Sequence, residues 1–150
     1  EGEVLLRFFD ANGDTVITFS SIKDYKGEPV KISKEFHPDT MVRRPGIIQA
    51  KQGANSFVWD TRYPDSKKIE SGNNAFISGG ITGPTAVPGM YTVKLYLKDS
   101  LLATRTFELK KDPRIDATQE DFKKQFDLLM RITKKQSEAS EAINKIRRIT

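Results

Sequence analysis

Four carboxylates, Asp39, Asp60, Asp65 and Glu70, are the side chains in this chain whose type and crowding come nearest to acid–base chemistry. A glycosidase holds two such groups roughly 5–10 Å apart in a cleft. Neither spacing nor apolar context pairs any two of them, and Asp60, directly after Trp59, is placed to cap or to bridge to Arg62. The lone histidine, His37 in EFHPD, has no cysteine or second histidine to complete a metal site or a triad. It reads as a loop residue facing solvent ahead of Pro38. Asp10, Asn12 and Asp14 alternate like calcium ligands, but an EF-hand loop needs glycine sixth and glutamate twelfth, where this chain has Thr15 and Ser21. A hairpin turn explains them with fewer assumptions. Gly79, Gly80, Gly83 and Gly89 do not form the strand-to-helix pattern that cradles phosphate. No catalytic residue, metal ligand or cofactor site is assigned, and the chain is read as non-enzymatic.

Sugar binding is the remaining chemistry, since carbohydrate modules present aromatic rings on a face or in end loops. Tyr25, Tyr63, Phe76 and Tyr96 are available, and Tyr63 and Phe76, both in loop-like sequence, are the candidate ligand-binding residues. Trp59 is expected in the core instead.

The elements that must position these residues fall into two regimes. Up to about residue 110 the apolar period is near 2, and after about residue 118 it is near 3.6. VLLRFFD (4–10) and TVITFS (15–20) flank Asn12-Gly13, which can supply the positive φ angles of a hairpin turn. EPVKISKEF (28–36) alternates weakly, and NSFVWD (55–60) reads as an inner strand with Phe57 and Trp59 on one face and Val58 on the other. Residues 71–89 are rich in glycine and turn formers. Tyr91, Val93, Leu95 and Leu97 then alternate with polar residues, Asp99-Ser100 turns, and 101–110 returns as the last strand. About six or seven strands at this spacing predict an immunoglobulin-like β-sandwich. Pro88 to Val93 fits that fold's tyrosine corner, with Tyr91 hydrogen-bonded back to backbone and Val93 in the core facing Trp59.

Pro113 ends the ladder regime, and Thr118 with Asp121 three residues on signals a helix start. The expected division is a sandwich over 1–112, then a linker and a C-terminal amphipathic helical arm over 113–150. Phe122, Phe126, Leu129, Ile132, Ala139, Ile143 and Ile146 form its apolar stripe. As one helix it would reach roughly 50 Å, so it either folds into a hairpin near KKQSEASEA or needs apolar surface beyond the sandwich. That surface is another part of a parent chain, another helix or a second copy. Deleting 116–150 is expected to leave the sandwich folded.

Bulk properties bound the rest. At 150 residues and 17.0 kDa the chain suits one ordinary core. Without cysteine it has no disulfide framework. The charge of +5 splits into 15 basic against 13 acidic side chains over 1–110 and 10 against 7 over 111–150, too thin a surplus for a nucleic-acid surface. No apolar run approaches the ~20 residues of a membrane span, and no signal-peptide pattern opens the chain. Starting at Glu1, it reads as a processed product or an excised piece.

GANSFVWDTRYPD (53–65), GPTAVPGMYTVKLYLKD (83–99) and FELKKDPR (107–114) together resemble the C-terminal region of large bacterial proteins, especially from Bacteroidetes. Those proteins carry sortilin-like BNR (Asp-box) repeat β-propellers and are often labelled glycosyl hydrolases. Gly53, Asn55, Phe57 to Asp60, Arg62, Tyr63, Gly83, Pro84, Pro88, Gly89, Tyr91, Val93 and Asp112 to Arg114 match its G-x-N-x-F-V-W-D-x-R-Y, G-P…P-G-x-Y-x-V and D-P-R segments. The resemblance covers about 47–115 and implies an immunoglobulin-like or fibronectin type III-like accessory domain. It also implies a periplasmic, cell-surface or secreted location and the parent's propeller as partner. No Asp-box repeat occurs in the chain, so no active site comes with the resemblance.

Overall fold

The computed structural model describes residues 2–22, 47–48, 50–70 and 80–149. The expected strand at 28–36, His37, Asp39, Tyr25 and Phe76 lie outside these residues. Strands β1 (Val4–Phe9) and β2 (Thr15–Ser20) form the first hairpin, and β3 (Gly89–Leu97) and β4 (Ser100–Leu109) form the second. They make one antiparallel sheet in the order β2-β1-β3-β4. Helix α1 (Gln119–Arg147) follows.

Local chemistry accounts for both turns. In the first, Asp10 Oδ1 accepts from the Asn12 and Asp14 amides, each at 2.9 Å, and only Gly13 takes a positive φ, of 84°. The aspartate therefore does part of the work expected of the Asn-Gly pair. In the second, the bend falls at Lys98-Asp99, one residue earlier than the sequence predicts, with Lys98 at φ 55°.

Register carries the alternating apolar residues to one face. Phe8 lies opposite Ile17 and Val93, and Leu6 opposite Phe19 and Leu95. On that face Phe8, Ile17, Phe19 and Tyr91 join Ile48, Tyr63, Ala86 and Met130 in the core. On the other face Arg7 lies over the Tyr96 ring and Lys94 over Phe9, at 5.0 and 4.5 Å from the ring centroids.

The described residues thus give a mainly β fold of four strands and one helix. The second layer differs from an inner strand at 55–60. That segment joins no ladder with the described strands, Val58 is 88% exposed, and Thr61 turns into the left-handed region at φ 58°. Only the Phe57 and Trp59 side is buried against the core, so the segment lacks the two apolar environments of an inner strand. In its place 61–66 and 81–86 run side by side through irregular bonds. Tyr63 N donates to Pro84 O at 2.9 Å, Ser66 N to Ile81 O at 2.8 Å and Ala86 N to Thr61 O at 2.7 Å.

Helix α1 is continuous over 29 residues, about 43 Å, so no hairpin forms near residues 134–142. Its start carries the full capping box: Asp121 N donates to Thr118 Oγ1, and Thr118 N donates to Asp121 Oδ2 at 2.9 Å. The boundary near residue 112 separates strands from helix in sequence, but packing joins them, because Met130 is fully buried in the sheet's own core.

Candidate functional site

The residues that most resemble a chemical motif are bound up in the scaffold. Trp59 Nε1 donates to Arg62 O at 3.1 Å, and its ring lies 4.6 Å from Phe8 and 5.9 Å from Tyr91. Asp60 Oδ1 accepts from Arg62 N, Arg62 Nη1 donates to Gly83 O at 3.0 Å, and Asp65 Oδ1 accepts from Gly83 N at 2.9 Å. Asp112 and Arg114 pair with each other through the guanidinium, which lowers the exposed carboxyl's pKa. Tyr91 is buried, its hydroxyl donates to Val87 O at 2.7 Å, and Val93 packs at the core's edge. The polar groups of Trp59, Asp60, Arg62, Asp65 and Tyr91 in these segments are bonded to backbone.

Two open grooves flank the helix. One, of about 510 Å³, is bordered by Asp10, Asp14, Tyr63, Tyr91, Lys123 and Asp127. Its acids do not make a metal centre: among the described residues no group of three or more His, Cys, Asp or Glu is placed to hold an ion. Burial first, then Tyr91 and the carboxylates of Asp10 and Asp14, push the Tyr63 phenol above its ordinary pKa. Burial first, then Asp10, pushes Tyr91 up to about 12. Burial thus favours the neutral form of both phenols. Tyr63 is only 6% exposed, its ring 4.8 Å from Phe126, so it offers little face for a sugar to stack on. Its expected companion, Phe76, is outside the described residues.

The second groove, of about 430 Å³, is lined by Pro88, Leu109 and Ile115 on one side and Phe122, Gln125 and Leu129 of α1 on the other. It lies beside exposed apolar residues of α1, Leu128 and Leu129. Helix α1 has two working faces. The first buries Met130, Thr133, Ser137 and Ser140, over which 63–70 lies along the helix. There Ser137 Oγ accepts from Lys67 N at 3.0 Å, Lys67 pairs with Glu141, and Asn144 accepts from Glu70 N and donates to Lys68 O. Small hydroxyl residues spaced by three or four let the extended segment approach, and one of them, Ser137, takes a hydrogen bond from its backbone. Apolar periodicity alone passes over them, and the Thr133, Ser137, Ser140, Asn144 spacing is the signal that marks this face.

The second face carries Phe122, Gln125, Leu129, Ile132, Gln136, Ala139, Ile143 and Ile146, at strictly alternating intervals of three and four. This is a heptad a/d seam of the kind that packs against another helix. Phe126, counted with the apolar stripe on sequence, turns instead to Tyr63. Ile132 is 43% exposed and Ile146 63%, with Leu128 and Leu129 also exposed beside them. Among the described residues no helix is long and apolar enough to cross a membrane. Compared with protein families, curated proteins and solved structures, the chain finds no match in any of the three.

Proposed function

We propose that this chain is a non-catalytic accessory module of a larger bacterial cell-envelope protein, whose BNR-type propeller it braces, and that it acts through protein–protein contact. In this reading its complete architecture is an immunoglobulin-like sandwich of six or seven strands, one layer of which is the four-stranded sheet. The Tyr91 corner bond, the Trp59 ring against the sheet and the paired 61–66 and 81–86 segments support that architecture. The matching motif residues work as a scaffold that holds a second layer to the first, which is what a brace requires.

One observation carries the functional reading: α1 is anchored along its small-residue face and still presents a second face, over about 36 Å, on which six of eight seam positions are apolar and Leu129, Ile132 and Ile146 are exposed. A helix that served only its own sheet would leave that side polar. Solvent-exposed apolar strips of this extent mark contact surfaces. Mechanistically, the sheet supplies a rigid mount and the buried face fixes the helix's orientation, so the seam is offered pre-organised.

Assaying the purified chain on aryl glycosides and peptides tests the non-catalytic half. No turnover is expected. Turnover abolished by Asp60→Ala or Asp65→Ala, with the fold intact by circular dichroism, would overturn it.

A further inference from the structure

We propose that the seam on α1 takes a second copy of this chain, docked antiparallel, so that the module is a two-fold dimer through its C-terminal helices. The proposal rests on the reading of this face as a contact surface and names its occupant.

The seam chooses a helix as partner. Alternation of three and four over eight positions keeps one stripe in register with a facing helix, an arrangement that neither a sheet nor a flat surface requires. Its side chains then choose the direction. In an antiparallel pair centred near Lys134, Ala139 meets Leu129, Gln136 meets Ile132 and Gln125 meets Ile143 of the second copy. Every small or polar seam position faces a large apolar one, as interdigitating layers require. A parallel pair would instead set Gln125, Gln136 and Ala139 each against itself.

The ends agree. Antiparallel docking brings Ile146 of one copy to Phe122 of the other, at the groove lined by Ile115, Phe122 and Leu129. The exposed side chains of Ile146 and Ile149 thereby reach an apolar groove on the second copy. The two helix dipoles run in opposite directions, so each positive N-terminus lies near the negative C-terminus of the other helix. A strip ~36 Å by ~10 Å on each copy comes to roughly 700 Å² in projection over the two copies together. Interdigitated side chains and the groove contact raise this toward the ~1,000 Å² that a specific interface needs.

Sedimentation equilibrium of the full chain at micromolar concentration tests the proposal, alongside Ile132→Glu and Ile146→Glu. Twice the chain mass is expected, with each variant monomeric and its far-UV circular dichroism unchanged. Because the chain has no cysteine, direction can be read by oxidation: Leu129→Cys with Ala139→Cys should link covalently, and Ala139→Cys alone should not. A monomer at these concentrations, a dimer indifferent to both glutamates, or a link through Ala139→Cys alone each overturns the proposal. Monomeric behaviour leaves the non-catalytic reading standing, and turnover of substrate sinks that reading without touching the dimer.

Discussion

Gly83 shows what single residues do in this protein. A β-carbon there would lie 1.9 Å from the Tyr63 carbonyl oxygen and 2.5 Å from that of Pro64, both backbone atoms that cannot swing aside. Gly83→Ala is therefore expected to lower stability by about 3 kcal/mol or more, because it forces apart two segments held by backbone bonds. Urea denaturation measures this, and a loss below about 1 kcal/mol would mean that the pairing yields easily. Tyr91 carries a pH dependence. Its pKa rises from the ordinary 10 to about 12 in the fold, so the folded state favours the neutral phenol. The sign follows: that stabilisation is complete below pH 10 and is lost as pH climbs through about 12. Thermal melts across this window should fall steadily, and Tyr91→Phe should flatten part of the slope while losing about 1 kcal/mol with the Val87 hydrogen bond. An unchanged slope in the variant would assign the effect to Tyr63, which burial also holds neutral.

At the scale of elements, α1 divides its work by face, and neighbouring positions should answer differently to mutation. Met130 has no exposed surface and belongs to the same buried core cluster as Phe8, Ile17, Tyr63 and Tyr91. Met130→Ala should cost about 2–5 kcal/mol through lost burial and a cavity. Ile132, two residues on, is 43% exposed, and Ile132→Ala should shift monomer stability by no more than about 0.5 kcal/mol. Chemical denaturation of the two variants at low protein concentration checks the contrast. Equal losses would mean that both faces belong to one core. The capping box fixes where this helix begins, and an alternation of small hydroxyl residues fixes which side lies down.

For the whole molecule, the question is whether strands and helix are one cooperative unit. Shared burial of Met130, together with the Phe126 contact to Tyr63, predicts that deleting 116–150 destabilises the remainder by at least as much as Met130→Ala. A truncated chain as stable as the full one would restore the independent arm that the change of period at residue 112 suggests. The strands β1 to β4, the hairpin at Asp10 to Asp14, the corner at Tyr91 and the capped helix were all legible locally, because each depends on neighbours within a few residues or on alternation. Tyr63 was not legible: a tyrosine before proline in loop-like sequence looks exposed, and only the arrival of Phe126 from a distant helix buries its ring. Thr133 and Ser137 were hidden for the same reason, since small hydroxyl residues reveal a buried face only when an extended segment lies against them. The amino-acid order by itself determined the periods, the turns, the cap and the heptad spacing, all set by backbone geometry and short-range hydrogen bonds. Only the tertiary structure decided which helix face is core and which is free, because that depends on which long-range surface reaches the helix first and excludes water from it.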